Sequence, residues 1–191
     1  MVRFTSNGAL DASFGRVLSS KPVVSRLAGN RQTVDLLEYY HAGFDHFFLT
    51  SLADEIQKLD DGTFTGWART GQSITALAQG ATGTFSVCRF FSATFAPKSS
   101  HFYTPYVSEC DALKAGTTWT HEGDVFALQI PAANGSCPAD TRRVFRAYNN
   151  GIGGAPNHPL TVSDDVRSAR SASGWTAEGV GSPPVFACVP L

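Results

Sequence analysis

A chain of 191 residues with a net charge of −1, 42% hydrophobic and only 16% charged, has the material for one globular core and lacks the basic stripe that nucleic-acid binding requires. Its 14 Phe, 5 Tyr and 3 Trp exclude a disordered polymer. No apolar run reaches the ~18 residues of a membrane-crossing helix, and the first seven residues lack the apolar stretch of a secretory leader.

Residues 1–33 stand apart, with turn signals at Asn7-Gly8 and Gly29-Asn30 and no aromatic after Phe14. From about Val34 the chain says the same thing three times. A short alternating strand surrounds Glu38, Arg89 or Arg146. A second strand follows at His46–Leu49, His101–Tyr103 or His158–Leu160. Helices are expected over about 51–59, 105–115 and 162–173, with Thr50, Thr104 and Thr161 at the N-caps. Pro105 suits a first helical position, and Gly62, Gly116 and Gly174 stand where helices would stop. A Trp-containing strand and a final strand close each unit: Trp67 then Ile74–Leu77, Trp119 then Val125–Ile130, Trp175 then Val185–Val189. Histidines recur at intervals of 55 and 57 residues, a period that marks one supersecondary unit copied three times.

The expected fold class is therefore α+β, mainly β: three β-β-α-β-β repeats (about 34–80, 84–133 and 141–191) in a pseudo-threefold closed disc or barrel. Closure would remove exposed sheet edges.

Two stretches carry resemblances. Val2-Arg3-Phe4-Thr5-Ser6-Asn7-Gly8 through Phe14-Gly15 resembles the closing half of a delta-sixty repeat. Such repeats stack as blades elsewhere, and a lone half-blade cannot bury its own face. That implies upstream domains of a longer parent chain, with 1–33 as a partial repeat and linker. The second signature is Arg89-Phe90-Phe91, then His101-Phe102-Tyr103-Thr104, then Trp119 and Glu122-Gly123, echoed on either side. It resembles a bacterial and fungal repeat family of unknown function whose modules are appended to secreted hydrolases or surface proteins. It covers about 34–190 and implies no catalytic residues. The first copy departs at Arg69-Thr70, and the third has His158-Pro159-Leu160 in place of His-Phe-Tyr.

Four cysteines without a CxxC pair suggest two disulfides in an exported protein rather than a metal site. Of the three connectivities, Cys110–Cys137 with Cys88–Cys188 is the favoured expectation. The low lysine count and the Ser, Thr and Gly richness also fit an extracellular or cell-surface location.

Each candidate chemistry has an internal alternative. His46, His101 and His158 could converge on zinc if a threefold axis gathered them, but repeated residues usually hold the same structural job in each copy. Trp67, Trp119 and Trp175 read first as core. Glu122 and Glu178 read as cross-strand partners of Arg89 and Arg146 rather than a hydrolytic carboxylate pair. Gly151–Gly154 lacks the strand-to-helix context of a phosphate cradle, and no GxSxG, HExxH or Walker pattern occurs. The expectation is a non-catalytic module without metal or cofactor that binds carbohydrate or cell-envelope polysaccharide through Tyr40, Asp45, His46, His101, Tyr103, Asn149, Asn157 and His158. A structural or adhesion spacer is the alternative, followed by a metal-dependent hydrolase.

Overall fold

The computed structural model describes residues 25–28 and 31–191, so the delta-sixty resemblance lies outside the described residues. The order of elements is β1 (Ser25–Ala28), β2 (Arg31–His41), β3 (His46–Thr50), α1 (Ala53–Asp60), β4 (Trp67–Leu77), β5 (Phe85–Ser92), β6 (Ser100–Thr104), α2 (Val107–Ala115), β7 (Thr120–Leu128), β8 (Thr141–Tyr148), β9 (Leu160–Thr161), α3 (Asp164–Ala172), β10 (Thr176–Glu178) and β11 (Ala187–Pro190). The protein is mainly β. The order strand, strand, helix, strand occurs three times, but β4 runs unbroken from Trp67 to Leu77 where two strands were expected. Only after α3 do two separate strands, β10 and β11, follow.

All pairings are antiparallel. In each unit the first strand is central: β2 lies between β3 and β4, β5 between β6 and β7, and β8 between β9 and the β10 and β11 pair. β4 touches β7 at Leu77↔Ala127, which joins the first two units into a seven-stranded sheet. The four-stranded third sheet is linked to it by reciprocal hydrogen bonds between Gln129 and Cys188. The result is a nearly closed, barrel-like wall. Its core gathers Leu36, Ile74, Ala76, Val87, Phe126, Leu128, Val144 and Phe186, each under about a twentieth exposed. Burying each of the larger of these side chains contributes roughly 1.5–3 kcal/mol.

The helices begin later than expected, and for one shared reason. The hydroxyls of Thr50, Thr104 and Thr161 accept the amide two residues on, from Leu52 (3.0 Å), Tyr106 (3.1 Å) and Ser163 (3.1 Å). This local turn places the N-caps at Leu52, Tyr106 and Ser163 instead of at the threonines, and leaves Pro105 outside α2. Only Ser163 caps with its side chain, accepting the Val166 amide. The helices also differ in depth. α1 buries Glu55, Ile56 and Leu59, α2 buries Cys110, and α3 buries no residue fully.

The disulfides are Cys88–Cys110 and Cys137–Cys188, which corrects the expected pairing. Cys88 sits on β5 and Cys110 on α2, with Cα atoms 6.1 Å apart, because β6 turns the chain straight back. Cys137 belongs to the connection before β8 and meets Cys188 on β11, the strand that pairs with β8. Bridging Cys110 to Cys137 would have required leaving the unit in which each cysteine is already close to another.

Candidate functional site

The three helices each face the first strand of the following unit, and what lies at those junctions decides where a ligand can go. At the first, Arg89 of β5 is fully buried. Its guanidinium makes a two-pronged contact with Glu55 of α1 (2.9 and 2.6 Å), and its Nε lies 2.7 Å from Glu122 of β7. Phe48 covers its face at 5.3 Å. Burial works against the Arg89 charge, but Glu122 and Glu55 outweigh it and hold the group protonated. Burial pushes the Glu122 carboxyl up to about 7 against the pull of Arg89.

The second junction repeats this arrangement. Arg146 of β8 donates to Glu109 of α2 (3.0 and 3.2 Å) and to Glu178 of β10 (2.8 Å), with Phe186 and Phe102 at 4.1 and 4.8 Å from the guanidinium. The cross-strand reading of Glu122 and Glu178 is thus correct. Gly123 (φ 115°) and Gly179 (φ 134°) bend the strand just after each glutamate, and a Cβ on Gly179 would strike the Val185 carbonyl.

The third junction departs at every position. Strand register places Glu38 where Arg89 and Arg146 stand, since Glu38 pairs with Leu49 as Arg89 pairs with Tyr103 and Arg146 with Leu160. Thr70 replaces Glu122 and Glu178, while Gly71 (φ 81°) keeps the glycine, so of the Glu-Gly pair the first copy lacks only the acid. Val166 of α3 replaces Glu55 and Glu109, five residues after the turn-forming threonine. The cation has moved to Arg170, one helical turn on. Its guanidinium lies 5.0 Å from the Phe47 ring and 5.9 Å from Trp175, and its Nη1 is buried without a hydrogen-bond partner. Glu38 accepts the Thr70 hydroxyl at 2.8 Å. Burial raises the Glu38 carboxyl, opposed by Thr70 and by Arg170, and burial lowers Arg170, opposed by Glu38. The two groups sense each other's charge without forming an ion pair. Between them opens a groove of about 430 Å³, lined also by Asp45, Gln72, Ala169 and Ser173.

Of the residues expected to bind ligand, Asp45 lines this groove, and Tyr40 donates its hydroxyl to Asp45 at 3.0 Å. The others hold the protein together. His46 and His101 are buried side by side, the His101 amide donating to His46 Nε2 at 3.2 Å. Burial drives His46 down to about 3 and His101 well below the usual imidazole range, so both are neutral. Tyr103 donates to the Leu49 carbonyl and accepts its amide. Asn149 ties the loop 149–157 through Ile152, Ala155, Gly151 and Asn157. Asn157 donates to the Asp45 carbonyl at 2.8 Å. His158 stacks on Tyr148 at 4.5 Å and is also held down to about 3 by burial. The histidines do not converge: register aligns His101 and His158 with Phe47, while His46 aligns with Ser100 and Asn157. Among the described residues, Cys88, Cys110 and His121 form a metal-sized group, but both sulfurs are committed to a disulfide. The tryptophans split as well. Trp67 is buried, Trp119 packs on Phe95 and Phe102, and Trp175 walls the groove.

Fold and site together define a disulfide-bridged, mainly β domain with two sealed junctions and one open one. Among the described residues, no helix is long and apolar enough to cross a membrane. The chain belongs to a family described as a domain of unknown function, DUF5648, whose model matches residues 35–183. No curated protein and no solved structure matches it.

Proposed function

We propose that the chain is a non-catalytic extracellular module that binds carbohydrate in the groove between α3 and β2. The observation that carries this reading is the lining. Trp175 and Phe47 supply aromatic surface, and Glu38, Arg170, Thr70 and Gln72 supply polar groups, in an open volume of about 430 Å³. Aromatic faces with a few convergent polar groups are what a small-molecule site of this size needs, and a pyranose has both an apolar face and a hydroxyl rim. Two disulfides fit an oxidising compartment.

The architecture is read as three copies about a pseudo-threefold axis. Supporting it, His46 receives the His101 amide, Ser100 donates to the Pro156 carbonyl, and Asn157 donates to the Asp45 carbonyl, each reaching the next unit. Arg89 and Arg146 fill two junctions, which leaves one groove in place of three equivalent pockets.

The test is retention on immobilised polysaccharides of the oxidised protein and of W175A, with released reducing ends assayed on the same samples. Retention lost in W175A, with unfolding unchanged, supports the reading. Release of reducing ends would make the module an enzyme, and absence of retention on any polymer would leave a structural spacer.

A further inference from the structure

The polar atoms of the groove narrow the carbohydrate reading on which this inference rests. At the sealed junctions each arginine meets two carboxylates. In the groove, Thr70 and Val166 stand where those carboxylates would be, and Arg170 Nη1 is buried without a partner. Glu38 faces it with one oxygen engaged by Thr70. A guanidinium can only donate and a carboxylate can only accept, whereas each sugar hydroxyl does both. Two adjacent hydroxyls can therefore accept from Arg170 and donate to Glu38 together.

Among the described residues, the charges facing the groove are Glu38 from β2, Asp45 from the β2–β3 turn and Arg170 from α3. A uronate would satisfy Arg170 but meet two carboxylates. An amino sugar would satisfy the carboxylates but meet the guanidinium beside the Trp175 ring. An uncharged ring meets neither penalty.

We propose that the groove takes a neutral sugar that presents two adjacent hydroxyls to Glu38 and Arg170 while its ring lies on Trp175. The residues that set this preference are the Glu38 and Arg170 pair, in a groove where Thr70 and Val166 stand in place of the two glutamates.

The experiment compares retention of the oxidised full chain on a panel of neutral polysaccharides (glucans, mannans and galactans), a polyuronate and chitosan, at low and high salt. At least one neutral polymer is expected to retain the protein at both salt concentrations, with the two charged polymers retaining it at least tenfold less. E38Q and R170M are each expected to weaken that binding at least tenfold. V166E, which adds a carboxylate to the groove one helical turn from Arg170 and facing Glu38, is expected to abolish it with the circular dichroism spectrum unchanged. Periodate treatment of the bound polymer, which cleaves adjacent diols, should remove binding and requires no variant to fold. Retention on the polyuronate alone, or undiminished retention after periodate, would overturn this inference and leave carbohydrate binding standing. Retention on none of the polymers would overturn both.

Discussion

The junction at Arg89 and the junction at Glu38 occupy corresponding places on the wall but spend their polar groups differently. In the first, one guanidinium meets Glu55 and Glu122, and the space is filled. In the second, a carboxylate and a guanidinium face each other from neighbouring elements, and about 430 Å³ stays open. The contrast teaches that a buried ion network here serves as mortar. Where Glu38, Thr70 and Val166 stand in place of the arginine and its two glutamates, the joint is open and lined by Phe47 and Trp175.

Breaking the mortar should have the largest effect. R89M leaves Glu55 and Glu122 buried without their cation and is expected to cost about 3–5 kcal/mol in denaturant unfolding. E38Q should cost under about 1 kcal/mol, because Glu38 makes no ion pair. Equal losses would erase the distinction between the junctions.

The disulfides come next. Cys88 precedes Arg89 and Cys110 follows Glu109, so this bridge braces both sealed junctions at once, whereas neither disulfide involves a residue of α3. Loop-closure entropy puts its removal in C88S/C110S at about 3 kcal/mol, and that of Cys137–Cys188, which spans 51 residues, at about 4 kcal/mol. Hydrogen exchange should then rise first in α2 for C88S/C110S. Faster exchange confined to α3 would contradict the bracing role.

Acid sharpens the comparison further. His46 and His158, held down to about 3, stay neutral in the fold while the unfolded chain protonates near 6.5. The unfolded state therefore binds more protons below that pH. Each of these histidines removes about 1.4 kcal/mol of stability per pH unit as the pH falls through that window. Glu122, raised to about 7, works the other way, because the folded state binds its proton first as pH falls. Glu38 and Glu178, also raised by burial, act in the same direction as Glu122, but the three histidines, two of them held down to about 3, outweigh these carboxyls, so the unfolding temperature should drop from pH 7 to pH 5. In H158Q the slope should be shallower by about one histidine's share. An unfolding temperature that rises toward pH 5 would mean that the raised carboxyls of Glu38, Glu122 and Glu178 dominate.

The smallest change is the most constructive. E38R with T70E and V166E writes the sealed junction into the open one and should leave stability within about 1 kcal/mol of the parent while filling the groove. A loss of several kcal/mol would show that backbone spacing, not residue choice, keeps the groove open.

The order of elements was legible because Thr50, Thr104 and Thr161 punctuate it and the aromatic strands recur. The histidines were a poorer ruler. His46 lies one strand position away from the equivalents of His101 and His158, and a one-residue slip sends a side chain to the other face. The strand pattern already set Glu38 level with Arg89 and Arg146, and the register confirms it although the connection to Thr50 is three residues shorter than those to Thr104 and Thr161; the charge reversal there was visible in the sequence. Arg170 was hidden because it acts across a junction between units, where no local pattern reaches. The disulfide pairing was hidden for a related reason: spacing says nothing of which strand turns back toward which helix.

Asn157 reaches the Asp45 carbonyl across 112 residues of chain. Among native contacts such distant ones carry the greatest closure entropy and reward the chain last. The groove beside that clasp needs both Phe47 and Trp175, 128 residues apart in the chain, so during synthesis it cannot exist until Trp175 has emerged. The ability to hold a ligand is therefore acquired only once the first and third units have met, later than the residues of the Arg89 junction, which are complete at Glu122.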